Sequence, residues 1–361
     1  MSRTIDSSDT TSPSDLSSAE SGLVRLWLLG LAGLVFGMVL VGGATRLTDS
    51  GLSITDWRPL LGVIPPMSQS DWLVVFERYQ QIPEYKMVNE GMSLDEFKLI
   101  YWWEWGHRLF GRLIGFAFLI PFVIFLLAGY IPRELIPKLI GLFALGAIQG
   151  LVGWYMVQSG LVDRVDVSQY RLALHLGLAT LIYGLLVWLI LDLRPKKLNS
   201  LAVSNGLATS SGGLVILIYG QIILGAFVAG MRAGLSHNTW PLMDGRVLPD
   251  GLFAMGPWWR NFFENALTVQ FDHRVVAYVI LAWVAVQVWW VLAQAKNSRP
   301  ATRSVTMLAL AVSGQIVLGI WTLLAQVPLA LGLAHQACAL VLFTVALWHW
   351  HCFVGRPGYS S

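Results

Sequence analysis

Apolar residues run along this chain in stretches of about twenty, too long for a strand and too uniformly apolar for the stripe of a soluble helix. Eight such stretches can be drawn, at 23–45, 107–130, 137–158, 170–192, 211–231, 271–293, 305–325 and 331–352. The fold class they predict is an all-α polytopic membrane protein with eight transmembrane helices. The polar intervals sort by charge. Segments 131–138 (Arg133, Lys138), 193–210 (Arg194, Lys196, Lys197) and 294–304 (Lys296, Arg299, Arg303) are short and basic. Segments 46–104 and 232–269 are long, and the first carries more acids than bases. The positive-inside rule then places the basic turns and both termini in the cytoplasm and the two long segments on the periplasmic side of a bacterial inner membrane.

Composition agrees with this picture. Of 361 residues, 55% are hydrophobic and 12% charged, about half the charged share of a soluble protein. Seventeen Trp suit wide interfacial belts. The net charge of +3 is small, and the bilayer, not nucleic acid, is the expected surround. The two cysteines, Cys338 and Cys352, both fall on the last apolar stretch and cannot build a disulfide framework. The first twenty residues are rich in Ser, Thr and Asp, with none of the Arg-rich amphipathic pattern of a transit peptide. The apolar run from Leu23 has no small-residue cleavage site. Residues 1–22 are therefore expected to be a disordered cytoplasmic tail before a retained first helix.

Internal repetition organises the chain. Residues 42–62, GGATRLTDSGLSITDWRPLLG, resemble 225–245, GAFVAGMRAGLSHNTWPLMDG. EWGHR at 104–108 lines up with QFDHR at 270–274, and Gln149 and Gly153 match Gln315 and Gly319, all at an offset of 166. His175 matches His335 at an offset of 160. The reading is two pseudo-symmetric four-helix bundles, an N-terminal half at 23–195 and a C-terminal half at 211–353, joined by a cytoplasmic linker at 196–210. An even number of spans in each half predicts a parallel repeat about an axis along the membrane normal.

His107, His175, His273 and His335 open the even-numbered stretches, so all four are expected at one depth near the outer face. The repeat pairs His107 with His175 and His273 with His335. A lone apolar-face histidine is usually a satisfied core residue, but the same pair in both halves points to metal or cofactor ligation. A closed zinc site would need about four ligands. Two facing imidazoles suit the axial positions of a haem iron. Arg108 and Arg274 follow a ligand candidate in each half. They read either as partners for haem propionates or as snorkelling interfacial residues.

The halves differ at one chemical position. Glu104, one helical turn before His107, is Gln270 in the second half. A partly desolvated carboxylate there is expected to have a raised pKa and to move protons, which an amide cannot do. The plain alternative is that Glu104 neutralises Arg108 or Arg112. His237, His349 and His351 lack counterparts in the other half. The last two read as interfacial residues at the cytoplasmic end of the eighth span.

Taken together, GGATRLTDSGLSITDW, EWGHRLFGR, QGLVGWYMVQSGL, ALHLGLA, NTWPLMDG and QFDHR resemble the haem A synthase family, over nearly the whole chain after the tail. The family comprises membrane enzymes of cytochrome oxidase maturation. With no Cys in the outer loops, the chain looks like the cysteine-free type of proteobacteria and mitochondria. The resemblance implies oxidation of a methyl group of haem O to the formyl group of haem A. It implies that His273 and His335 hold a resident haem b, that His107 and His175 flank the substrate haem O, and that Glu104 is the essential catalytic carboxylate. Haem O synthase and cytochrome oxidase assembly factors are the implied partners, with an electron acceptor of unknown identity; a homo-oligomer is left open.

Two rivals are weighed against this. A di-haem b-type electron carrier, such as a quinol-oxidising cytochrome, explains four histidines but not the Glu104/Gln270 difference. A transporter built from repeats would place polar residues at the midplane, whereas here they gather at one face.

Overall fold

The computed structural model describes residues 18–57, 61–162, 164–193 and 205–354. Eleven α-helices appear among them: α1 (Ser18–Leu47), α2 (Gln69–Tyr79), α3 (Pro83–Met87), α4 (Leu94–Leu127), α5 (Ile136–Val162), α6 (Gln169–Asp192), α7 (Asn205–Gly230), α8 (Asn261–Glu264), α9 (Ala266–Gln294), α10 (Arg299–Leu324) and α11 (Leu329–His351). Eight of these, α1, α4–α7 and α9–α11, are long and apolar enough to cross a membrane, which matches the eight stretches read from the sequence. The expected tail at 1–22 falls mostly outside the described residues, and α1 begins at Ser18. Residues 196–204 of the expected linker, with Lys196 and Lys197, also lie outside them, and 205–210 begin α7.

The largest departure from the apolar pattern is α4, which starts at Leu94 rather than near 107. A capping box sets that start. The Ser93 side chain accepts from the Glu96 amide while the Glu96 carboxylate accepts from the Ser93 amide. At 34 residues the helix is about 51 Å long, well beyond a hydrocarbon core of about 30 Å. Its polar first turns therefore stand outside the apolar layer. Glu104 and His107 lie three turns into a continuous helix, not at its mouth.

The helices pack in two four-membered rings. In the first, α1 contacts α4 and α6, and α5 contacts both of these; in the second, α7 contacts α9 and α11, and α10 contacts both of these. The rings meet where α6 packs on α7 and α11, and α11 packs on α1. Leu28, Leu31, Leu139, Leu186, Leu214, Ile218, Leu308 and Leu340 are among the fully or nearly fully covered residues of the shared core.

Outside the first ring, α2, α3 and the first turns of α4 make a small core of their own, from Leu52, Trp72, Phe76, Tyr79, Ile82, Phe97, Tyr101 and Val167. Within it Glu84 is buried beside the Tyr79 hydroxyl, which also accepts from Asn89 Nδ2 at 2.7 Å. Burial pushes the Glu84 carboxyl up to about 8. The second half has only short turns and α8 in the corresponding place.

A four-charge cluster joins the halves on the loop side. Arg46 Nη1 lies 3.0 Å from Asp49 and 3.4 Å from Asp166. Arg232 Nη2 lies 2.8 Å from Asp49 and 3.1 Å from Asp166. Asp49 and Arg232 are 183 residues apart, the spacing that aligns the two G-L-S loops, and both hold left-handed backbone, with φ of 51° and 53°. Equivalent turns thus carry opposite charges that bond to each other.

Candidate functional site

Each candidate histidine comes from the second or fourth helix of its ring: His107 from α4, His175 from α6, His273 from α9 and His335 from α11. The two members of each pair lie within electrostatic reach of one another. The His273 and His335 ring centroids are 6.4 Å apart and the rings are inclined at 72°. Two imidazoles bound to opposite sides of one metal, with bonds of about 2 Å, have centroids about 6 Å apart. The second pair has that spacing. Nδ1 of His107, His273 and His335 is buried without a hydrogen-bond partner. Such an orphaned nitrogen is costly in a satisfied structural histidine. Among the described residues no three His, Cys, Asp or Glu gather to hold a bare ion. The donor set is therefore two separate imidazole pairs, which fits an iron whose other ligands come from a macrocycle.

The same local device seats every ring. Each histidine turns its Cε1 edge to a glycine of a neighbouring helix. A Cβ at Gly42 would come 3.1 Å from His107 Cε1, at Gly153 2.9 Å from His175 Cε1, at Gly225 3.3 Å from His273 Cε1, and at Gly319 2.8 Å from His335 Cε1. One turn before three of these glycines stands a glutamine. Gln149 Nε2 donates to the His175 carbonyl at 3.0 Å, Gln221 Nε2 to that of His273 at 2.8 Å, and Gln315 Nε2 to that of His335 at 3.1 Å. The fourth position, before Gly42, is Met38. Two of these Q-x-x-x-G pairs, 149–153 and 315–319, were visible in the sequence as a repeat marker. Their role as histidine seats needed the helix neighbours.

Glu104 is 2% exposed and accepts four hydrogen bonds. Ser53 Oγ and the Ile54 amide donate to Oε2, both at 2.7 Å. Arg108 Nε and Nη2 donate to Oε1 at 3.1 and 2.6 Å. Arg108 also donates to the Asp56 and Ile54 carbonyls at 3.0 and 2.8 Å. Glu104 and Arg108 together pin the G-L-S loop over the first ring. The second half repeats the arrangement with inverted polarity. Gln270 Nε2 donates to the Ala233 and Ser236 carbonyls, both at 2.6 Å. Its Oε1 accepts from Arg274 Nη2 at 2.8 Å, and Arg274 donates to the Thr239 and His237 carbonyls at 2.8 Å each. Both arginines therefore bind loop carbonyls. Arg274 Nε remains buried without a partner.

The other histidines part company with the sequence reading in one place. His349 is not interfacial: it is wholly covered, with Nδ1 3.0 Å from Ser304 Oγ and Nε2 3.5 Å from Gln287 Oε1. A polar residue near a span end reads as interfacial until the facing helices supply partners. His351 likewise pairs with Asp192 at 3.0 Å. His237 pairs with Asp244 in the loop between α7 and α8. Asn238 ties that loop to α10, donating to the Leu323 carbonyl at 2.8 Å.

Comparison with known proteins places these features. Residues 25–347 match the model of the COX15-CtaA family, described as cytochrome oxidase assembly protein. A protein named Heme A synthase from Parvibaculum lavamentivorans is 57% identical over 328 residues, covering 91% of this chain and 93% of the relative. Proteins of the same name from Nitrosospira multiformis and Bradyrhizobium diazoefficiens are 53% and 51% identical; each alignment covers 90% of this chain, and 92% and 89% of the relatives.

Proposed function

The chain belongs to the COX15-CtaA family of cytochrome oxidase assembly proteins, and from that premise we propose that it oxidises a methyl group of haem O to the formyl group of haem A. The observation that carries the reading is the repeated seat, a histidine pair in each ring with every imidazole laid against a glycine. His273 and His335 would hold haem b, which when bound supplies one-electron transfer. His107 and His175 take the substrate, haem O. The electrons leave to an acceptor outside the chain. Haem O synthase supplies the substrate, and the product passes to the assembly factors of cytochrome oxidase.

The chain's own residues divide the work. The paired imidazoles fix the substrate by its iron, so the reacting methyl at the ring edge is positioned by rotation of the macrocycle within the first ring of helices. Of the four candidate ligands only His107 has a carboxylate one turn before it. Water adds to the methyl carbon as electrons are withdrawn and becomes the formyl oxygen, and Glu104 takes or steers the protons released with those electrons, while Arg108 and the Ile54 amide hold the carboxylate in place. Gln270, at the corresponding position, keeps the loop geometry without a titratable group, which suits a site that holds its group unchanged. Arg274 offers its unpartnered Nε to a propionate. The basic turns at Lys138 and at Lys296, Arg299 and Arg303 support cytoplasmic termini and haem sites toward the periplasmic face of the inner membrane.

The test is the haem extracted from cells that make haem O but not haem A, with and without this chain. Haem A should appear only with it. His107→Ala and His175→Ala should abolish haem A while the purified protein keeps haem b; His273→Ala and His335→Ala should lose haem b. Haem b retained in all four variants would reject the assignment.

A further inference from the structure

The four histidine seats are built alike except at one residue. His175, His273 and His335 each have a glutamine on the facing helix, one turn from the seating glycine, whose amide donates to the histidine's own carbonyl. Each of these glutamines also keeps a buried carbonyl oxygen with no partner: Gln149 Oε1, Gln221 Oε1 and Gln315 Oε1. A metal-bound histidine donates its remaining ring N–H to a nearby acceptor, and that second bond fixes the ring and strengthens the ligand. Gln149 and Gln315 hold their amides beside the rings of His175 and His335, and Gln221 holds His273 through its carbonyl. Gln149 Nε2 already lies 3.1 and 3.3 Å from the two His175 ring nitrogens, and Gln315 Nε2 lies 3.4 Å from His335 Nε2.

His107 has none of this. Gly42 seats its ring as Gly225 seats that of His273, but the residue one turn earlier is Met38 where the second half has Gln221. The Met38 Cε lies 3.3 Å from where a Cβ on Gly111 would stand, one turn past His107, so a thioether fills the place of the amide. A thioether is at most a weak acceptor and donates nothing. Among the described residues no side-chain amide reaches the His107 carbonyl, whereas one reaches the carbonyl of each of the other three.

We propose that Met38 makes His107 the releasable ligand of the first pair, and that the Met38/Gln221 difference decides which half exchanges its haem and which retains it. The inference rests on the reading that the first pair holds haem O. A synthase must admit a haem and let its product go from one site while keeping another bound throughout. One unbraced ligand in the exchanging site meets that requirement without altering any ligand. His175, braced by Gln149, stays on the iron while His107 lets go. Met38 is thus a positioning residue acting through His107.

The experiment uses the full chain, purified with its resident haem and titrated with haem O. Release of each haem to excess apomyoglobin is followed by absorbance, and the two haems are told apart by extraction, since only haem O carries the farnesyl chain. Met38→Gln should slow haem O release about tenfold, the scale of a second-shell partner, with haem b release unchanged. It should also lower KM and kcat together, because product leaves more slowly. Gln221→Met should speed haem b release by a similar factor and leave haem O release alone. Haem O release from Met38→Gln at the wild-type rate, or haem b release from Gln221→Met at the wild-type rate, overturns the proposal. If the wild-type first pair takes up no haem O at all, it is the functional reading that fails. The Gln221→Met arm still judges the brace in that case.

Discussion

Replacing Glu104 with Gln, the residue its own repeat carries, should damage the first half although the side chain keeps its shape. Glu104 Oε2 receives two donors, Ser53 Oγ and the Ile54 amide, each at 2.7 Å. Gln270 faces two carbonyl oxygens in the matching place. In Glu104→Gln one amide atom must meet the Ile54 N–H. If it is the NH2, two donors oppose each other; if the amide turns over, the NH2 faces Arg108 instead. Ser53 can rotate its hydroxyl, but the Ile54 N–H is fixed by the backbone. An orphaned buried donor costs about 1–3 kcal/mol, and losing the charge from the Arg108 pair costs a further 1.5 kcal/mol or so. A total near 3 kcal/mol corresponds to about a hundredfold in an opening equilibrium. Hydrogen exchange read by mass spectrometry on peptides spanning 48–57 should therefore accelerate about a hundredfold in Glu104→Gln, with peptides of the loop between α7 and α8 unaffected. Protection at Ile54 within about threefold of wild type would refute the polarity argument.

Other expectations follow from the same geometry. Glu84 is buried with its carboxyl raised from an ordinary 4.5 to about 8, so the folded small core of α2, α3 and the start of α4 favours the protonated form. Its contribution is fully present below pH about 4.5 and is lost as pH climbs through 8; near-UV circular dichroism of thermal melts across that range should show the loss, and Glu84→Gln should flatten it. Gly319→Ala would put a methyl 2.8 Å from His335 Cε1, displacing the ring, so the purified variant should lose most of its haem b absorbance. Gly153→Ala should instead spare haem b and abolish haem O uptake in a titration. Asp49→Asn removes a half-exposed charge from the seam cluster and should cost under about 1 kcal/mol, an effect that disappears in high salt.

The spans, the repeat and the four histidines were legible because each leaves a one-dimensional trace: an apolar run, a recurring motif, a fixed offset. The start of α4 was legible in principle, since the Ser93–Glu96 box is a sequence signal. It was outweighed by the polar turns that follow, which read as loop because hydropathy says nothing of a helix standing clear of the bilayer. The Glu104–Arg108 loop clamp and the burial of His349 depend on groups from other segments: Ser53 and Ile54 in one case, Ser304 and Gln287 in the other. Glutamine and glycine one turn apart are common in membrane helices, and only the facing ring of a histidine turns that pair into a seat.

The bond between Asp49 and Arg232 also bears on how the halves choose each other. These residues occupy the same turn of the same repeat, so a pairing of two first halves would set Asp49 against Asp49, and a pairing of two second halves would set Arg232 against Arg232. Like charges at a contact are a standard means of rejecting a wrong partner. Bundles built on one repeat in one membrane face a persistent risk of joining with their own kind. Here the substitution of one sign for the other at a single repeated turn favours the mixed pair. Expressed as separate polypeptides, the two halves should co-purify as a one-to-one complex in preference to either homodimer.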